Sequence, residues 1–516
     1  MRASGILNEF GKPLVADSGE RPDAIAMRVT HNRRAALTFD AARSETDLDG
    51  HWKFADFLSP DAAHNTGVRR TLVKRSRYEQ GSNAFYAGII DTHCNMLVGT
   101  GPQLRMLTRS RDFNQLVERE FFAWAQRIQL RRKLWAMAHA TTGDGESFGL
   151  LITNPELPGV QLDILPIEAE QCQSASFDGL TPGRLDGIYY DKSNNIIAYD
   201  ILPEHPGGQS TMFLYKEPIQ VPASQVVHWF KLKRPSAHRG IPALTAGLNT
   251  GAFARRHREA TVAAAETAAD IAAMLTTQAN AADAAEPDPV APFTSVEFAK
   301  RMLMMAPMGW DAKQMKGEHP NAQYAEFHRL NLSELARGLS MPYNAAACDS
   351  STYSFASGKL DTLCYRAALD VERADANDLV LDQIFAAWFG EWTILHPDEA
   401  FTPAHQWDWP CHPVIDAVAE ASASNTKLMN GSITHRQVFS DEGQDYEDQL
   451  SIMAEDWFGE ANEENIAKAR QINLLRTIPQ PAVPYVAQIL GLQPAIQPQQ
   501  SPHPAQETHP DDTVIA

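Results

Sequence analysis

The spacing of hydrophobic positions along this chain alternates between helical and strand-like periods, and each change marks a new segment. Residues 1–50 are polar and mixed without sustained periodicity, and read as an amino-terminal arm or a strand-bearing edge. From His51 the pattern firms: Leu72, Tyr78, Phe85, Ile89 and Met96 within 65–99 predict one or two amphipathic helices, and further helices follow over 113–128 and 131–141. Beyond Gly145 the period drops to two. FGLLIT, VQLDILPI, LDGIYYD, NIIAYDIL and QVVHWFKL are short, β-branched or aromatic, and punctuated by Pro, Gly and Asn. They predict a β-rich unit of about ninety residues.

Helical spacing returns at Arg239 and Gly240, with Pro242 suited to a first helical turn. The alanine-rich run over 245–284 predicts one long helix, and its small side chains suit close packing against copies of itself or a plain surface helix equally. EPDPVAP at 286–292 ends it, and the methionines of the next excursion read as core filler. Over 327–360, Leu330, Leu332, Leu335 and Leu339 approximate a helix that Gly338 and Pro342 stop. DSSTYS, 349–354, then offers side-chain oxygens that can hold a turn or cap the next helix, expected from about Lys359. Residues 359–392 are helical in pattern, and further helices with glycine stops run to Phe458. The final stretch of about forty residues, rich in Pro and Gln, is expected to be a flexible tail.

Length and charge narrow the class. With 516 residues, there is room for about three domains and a core that needs no staples. Cys94, Cys172, Cys348, Cys364 and Cys411 are scattered, with no C-x-x-C pair, so neither a disulfide framework nor a zinc ribbon is indicated. The start MRASGILNEFGKPL has no apolar h-region, and no run of eighteen apolar residues occurs; a soluble, unexported protein without membrane contact is expected. The net charge of −19, from 45 Lys and Arg against 64 Asp and Glu, excludes a surface that grips phosphate everywhere. It is compatible with an acidic wall past which DNA slides, and equally with charge that only keeps a large protein soluble.

The candidate chemistry is sparse. Gly145-Glu146-Ser147-Phe148-Gly149 matches the G-x-S-x-G nucleophile elbow, but the elbow needs a strand before the serine and a helix after it. Here WAMAHATT precedes and FGLLIT follows, so a tight helix-to-strand turn is the better account of Ser147. No phosphate-binding G-x-x-x-x-G-K-[ST] loop occurs, and Gly99-Thr100-Gly101-Pro102 lacks the rest of a dinucleotide fingerprint. His405, Cys411 and His412 lack a fourth ligand at zinc spacing, and Asp441, Glu442, Asp445, Glu447 and Asp448 read as a solvated face. No catalytic, cofactor-binding or metal-binding residues are therefore expected, nor any cofactor. Within the basic run from Arg69 to Arg77, Arg70, Lys74 and Arg77 share a helical face that touches phosphate or anchors a neighbouring subunit, or is simply solvated.

Several blocks resemble, in order, the lambda family of phage portal proteins. They are VKRSRYEQGSNAFYAGIIDTHCNMLVGTGPQLR, WAMAHATTGDGESFGLL, DGIYYDKSNNIIAYDIL, VPASQVVHWFKLKRPSAHRGIPAL, the GLS-MPY step with its DSSTYS loop, and WDWPCHPVIDAVAEASASNTKLMNGSITHRQVFSDEGQDYED. The family's loop commonly carries N-Y-S-S-x-R, whereas this chain has Lys359 near where arginine is usual, without the guanidinium fork.

The resemblance implies an α+β fold, a portal-type subunit with mainly helical wing, stem and crown regions, a β-rich portion of the wing and a small clip. It implies an arm over 1–50, a wing over 51–241, a stem helix over 242–280, a clip over 281–320, a second stem helix with the channel loop over 321–392, crown helices over 393–465 and a tail over 466–516. It further implies a homo-oligomeric ring, most often a dodecamer, at one capsid vertex of the virion, assembled in the host cytoplasm. Double-stranded DNA would pass through it without sequence readout. Its other partners would be the terminase large subunit, a head-tail connector, and capsid and scaffold proteins. Asp349, Ser350, Ser351, Thr352, Tyr353, Ser354 and Lys359 would face the channel. The competing classes are a serine hydrolase using Ser147 and a capsid scaffold or adaptor that never touches DNA.

Overall fold

Asn65 starts the helical part by accepting the Val68 amide at 3.2 Å, and Asn83 both ends that helix and caps the next. The 65–99 pattern is therefore two helices joined at one asparagine. The computed structural model describes residues 55–174, 183–208, 217–269, 273–277, 310–314, 324–397, 404–412, 416–442 and 444–478. The chain divides into two compact units, 1–62 and 63–516; of the first, 55–62 are described, with a helical turn starting at Pro60.

In the second unit the elements run α1 (Thr66–Ser82), α2 (Ala84–Val98), β1 (Gln103–Met106), α3 (Arg111–Arg127) and α4 (Leu130–Gly143). The β-rich unit follows as β2 (Glu146–Thr153), β3 (Leu162–Ile167), β4 (Arg184–Leu185), β5 (Ile188–Tyr190), β6 (Ile196–Ile201), β7 (Ile219–Pro222) and β8 (Val226–Phe230). Next come α5 (Leu248–Ala269), β9 (Ala273–Thr277), β10 (Trp310–Gln314), α6 (Tyr324–Arg337), α7 (Tyr343–Ala347) and α8 (Phe355–Ala376). A π turn over Asn377–Leu381 leads into α9 (Asp382–Leu395), then β11 (His405–Asp408), α10 (Ala417–Met429), α11 (His435–Asp441), α12 (Tyr446–Phe458) and α13 (Glu463–Thr477).

The fold is α+β, as expected, and all its strand pairs are antiparallel among the described residues. β2 lies between β3 and β8, and β4 to β7 form a four-stranded meander. Two short ladders, β1 with β11 and β9 with β10, tie together distant parts of the chain. The β1, β7, β9, β10 and β11 strands were not read from the sequence: each has five residues or fewer, and β1, β9, β10 and β11 pair only across long stretches of chain.

Three helical expectations need correction. Among the described residues the alanine-rich segment is helical only over α5; 243–247 are turn and 3-10 backbone, and Ala273–Thr277 pairs with Trp310–Gln314 as a strand. Thr276 and Thr277 favour extended backbone, and the ladder overrides the helix propensity of Met274, Leu275 and the alanines around them. The rest of the proposed clip lies outside the described residues. Second, α8 starts at Phe355 and not near Lys359, because Ser354 and Ser357 form a reciprocal capping box. Third, 466–477 are not tail: Asn462 caps α13, whose Ile466 and Ala469 pack on Leu450 and Ala454 of α12. The arm over 1–50 and residues 479–516 lie outside the described residues.

The main core joins α2, α3, α4, α6, α8 and α9, and its densest part is aromatic. Phe121 meets Trp388 edge-on at 5.1 Å between centroids, beside Trp124, Phe385, Trp392 and Trp407. Two of the indole nitrogens find acceptors at its edge, Trp124 donating to the Leu162 carbonyl and Trp392 to Glu120, at 2.8 and 2.7 Å. The π turn adds one residue to the α8–α9 run, so that paired rows, Val380 with Leu381, Ile384 with Phe385 and Trp388 with Phe389, all reach the core. A smaller core inside the β-rich unit holds Phe148, Cys172, Ile188, Tyr199, Ile201 and Val226.

The α4-to-β2 turn is fixed by two glycines crossing. Gly145 has φ +102°, and a Cβ there would lie 2.2 Å from the Ile241 carbonyl carbon; one on Gly240 would lie 2.0 Å from the Gly145 oxygen. No side chain fits between these backbones. Gly145→Ala and Gly240→Ala are each expected to lower stability by about 2–4 kcal/mol, measured as a shift in denaturant midpoint. An unchanged midpoint in either would contradict the close crossing.

Candidate functional site

The loop between α6 and α8 is built from both ends. Leu339 and Met341 are buried, and the Met341 amide bonds the Ala336 carbonyl at 3.1 Å, which turns the chain out of α6. After the single turn of α7, Cys348 takes a left-handed φ of 52°. Asp349 accepts the Ser351 amide at 2.9 Å, and hydrogen bonds from Ser351 hold its carboxyl below the ordinary value. The Tyr353 amide reaches the Ser350 carbonyl at 3.1 Å, and Ser354 caps α8. Ser350, Ser351, Thr352, Ser354 and Lys359 are exposed, while Asp349 and Tyr353 are half-buried. The expected channel-loop residues therefore form one short, polar, internally hydrogen-bonded surface.

The basic run divides. Arg69 is buried, and Arg77 pairs with Asp144 at 2.7 Å and with Glu168 and Glu170 at 3.1 and 2.9 Å. Arg70 is exposed and donates to Gln173 at 2.8 Å, and Lys74 and Arg75 are exposed. Of the expected patch, Arg70 and Lys74 face outward, and Arg77 is neutralised inside its own chain.

The strongest electrostatic feature is a set of residues that sequence reasoning did not single out. Glu146, at the start of β2, is buried and receives two Arg239 nitrogens at 2.7–3.0 Å, the Gly240 amide at 3.0 Å, Arg69 at 3.2 Å and His228 at 3.2 Å. Arg239 also donates to the carbonyls of Cys172, Asp186 and Ala169 and lies over the Phe148 ring at 5.5 Å. Arg69 makes a further close ion pair with Asp186.

Burial alone would raise the Glu146 pKa, but Arg239, His228 and Arg69 outweigh it and hold the carboxyl far below its ordinary value. Burial lowers His228, consistent with a neutral ring that accepts from the Tyr199 hydroxyl and donates to Glu146. Burial and the neighbouring Arg239 bring Arg69 down to about 10, and burial lifts the Cys172 thiol to about 11. Two carboxylates thus face two guanidiniums with every strong donor engaged, which is what buried charge requires.

Ser147 sits one residue from this knot but on the other face of the strand. Strand alternation aims Glu146 and Phe148 at His228, whereas Ser147 lies opposite Trp229 and its hydroxyl meets Thr141 Oγ1 at 2.9 Å. It is buried, with no basic side chain on its hydroxyl, and the order is helix, turn, strand. The geometry of a nucleophile elbow is not present.

The remaining candidates are structural as well. His405 bonds Asp382 and His412 bonds Asp370, so the two are not brought together as ligands. Asp445 caps α12, and Glu447 pairs with Arg436 and Arg470. Glu168, Glu170 and His205 approach closely enough to hold a cation. However, Arg77 already pairs with both glutamates, and His205 Nδ1 accepts the Gly207 amide, leaving its proton on the nitrogen that faces Glu168. Among the described residues, no helix is long and apolar enough to cross a membrane.

The buried charges around Glu146 thus pair with one another, and the elbow-like serine is fixed within a sheet. The phage portal protein family of lambda type matches residues 49–373, and the chain belongs to that family. A probable portal protein of Halomonas phage phiHAP-1 is 22% identical over 375 residues, covering 67% of this chain and 70% of that one. Among solved structures, the neck of an empty gene transfer agent particle computed with C6 symmetry is similar at a TM-score of 0.45 and 13% identity, over 73% of this chain and 94% of the other. The neck of the native particle computed with C12 symmetry gives a TM-score of 0.40 at 12% identity, over 71% and 92%.

Glu146→Gln leaves two buried guanidiniums facing a neutral amide and is expected to cost about 3–5 kcal/mol, read in urea unfolding; a loss within experimental error would show that the knot is not the support described. A second test uses pH. His93 and Lys231 hold Glu372 at 3.0 and 2.6 Å. Against the opposing effect of burial, they bring its pKa from 4.5 to about 2. Since the folded value is the lower one, this stabilisation is complete above pH of about 4.5 and fades as pH falls toward about 2. Acid unfolding of Glu372→Gln should be less steep across that window than that of the wild type; parallel curves would count against the pairing.

Proposed function

We propose that this chain is the ring-forming portal subunit of a phage or phage-derived particle, and that its ring is the channel for double-stranded DNA during packaging and ejection. Family membership over 49–373 carries the reading. In support, the α6–α8 loop presents serine and threonine hydroxyls and one carboxylate with no arginine, so a passing duplex meets few groups that hold phosphate. The net charge of −19 acts in the same direction. Base-specific contacts would add a barrier at each preferred sequence, and this loop has no long forked side chain to make them.

In this reading 51–241 form the wing, α5 and α6 the stem, 281–320 the clip that meets the terminase large subunit and later the head-tail connector, and 393–465 the crown. The subunit resides at the portal vertex of the virion, in contact with capsid and scaffold proteins, after assembly in the host cytoplasm.

Negative-stain microscopy of the purified protein is expected to show rings with an open centre, most often twelvefold by the family's habit; a protein that stays monomeric at all concentrations would overturn the proposal. Within the ring, Ser350→Arg with Ser351→Arg should impair DNA packaging while leaving assembly intact. Normal packaging by that variant would remove the loop from the channel.

A further inference from the structure

Helix α8 has two apolar faces. Tyr365, Leu369 and Ala376 are buried against the core, with Arg373 donating to the Met96 and Leu97 carbonyls at the end of α2. On the opposite side, Ala356, Leu360, Leu363, Cys364, Ala367, Val371 and Ala374 recur at helical spacing, and all are exposed. Leu360, Leu363 and Val371 are 63%, 50% and 61% exposed. A stripe running most of a 22-residue helix is more than the scattered apolar exposure of an ordinary surface. Its charges lean acidic toward the carboxy-terminal end, with Asp378 and Asp370 exposed beside it, Asp370 also accepting from His412 at 3.0 Å.

The outer face of α1 has the opposite character. Val68, Thr71, Arg75 and Tyr78 recur at helical spacing with Lys74 and Arg70 beside them, and all six are exposed. The acidic residue of this helix, Glu79, is buried and paired with Arg255, so nothing acidic on α1 offsets those charges. A closed ring requires a heterologous contact, two different patches on each subunit that fit each other.

We infer that the outward stripe of α8 docks on the outer face of α1 of a second copy of this chain, with Lys74 and Arg75 set against Asp370 and Asp378. The inference rests on the ring reading above and specifies its interface. The apolar side chains supply burial, and the opposed charges fix partner and direction. Arg70 and Lys74 are then contacts to protein and not to phosphate.

Sedimentation velocity on the full chain tests this, with Leu360→Asp plus Leu363→Asp, Lys74→Glu plus Arg75→Glu, and Asp370→Lys plus Asp378→Lys. Each pair should shift the ring boundary to the monomer position with an unchanged circular dichroism spectrum, and combining the two charge reversals in one chain should restore the ring. In the wild type, maleimide labelling of Cys364, followed by peptide mass spectrometry, should slow about tenfold on assembly. A wild-type ring that survives the leucine replacements, or in which Cys364 labels as fast as in dissociated subunits, overturns the interface alone. A wild type that never forms rings overturns the portal reading and this interface together.

Discussion

One buried carboxylate sets the arrangement of the β-rich unit. Glu146 is the meeting point of α1 through Arg69, of β8 through His228 and of the following segment through Arg239 and Gly240. Arg69 and Glu146 lie far in sequence from His228, Arg239 and Gly240, and each donor would lose a buried acceptor without the glutamate. A buried ion pair adds little net stability compared with well-packed apolar residues, but its directional bonds admit few alternatives. The knot therefore works as a register device: β2, β8 and α1 can dock in only one way if every donor is to find an acceptor.

The knot also explains why the loop and the outer helix faces are free to carry function. The segment that passes through Arg239 and Gly240 continues directly into the turn that starts α5, which packs against α6, and α6 leads into the polar loop. Positions of exposed residues on α6 and α8 are thus set from behind by buried charge and by the aromatic core. The exposed surface can then be polar, small or apolar without affecting the fold beneath it.

Much of this architecture was legible in the sequence, and the failures have physical causes. The α3 and α4 helices and strands β2, β3, β5, β6 and β8 of the β-rich unit announced themselves through period and punctuation, and the stop at Gly338 and Pro342 was read correctly. The strands β9 and β11 were hidden because a short ladder depends on a partner far along the chain. The end of α5 was misplaced because alanine content reports helix propensity and not tertiary pairing. The knot was missed for a different reason. Glu146, His228 and Arg239 lie within blocks that the family resemblance brought out, WAMAHATTGDGESFGLL and VPASQVVHWFKLKRPSAHRGIPAL, yet each block alone looks like a turn or a strand. Only their convergence on one carboxylate shows what they do, and that convergence has no signature along the chain. Tyr78, expected to mark a helix core face, is 60% exposed, with Arg255 over its ring at 5.2 Å, an arrangement that periodicity does not distinguish from burial.

The π turn keeps α8 and α9 continuous. The backbone is helical from Phe355 to Leu395 without a break, a run of about 60 Å along the helix at 1.5 Å per residue. One end begins at the hydroxyl-rich loop, and the other is clamped among Trp388, Trp392 and Phe121. The aromatic end is held by packing on several sides, so the loop is joined to the densest part of the subunit by a helical backbone without an intervening coil.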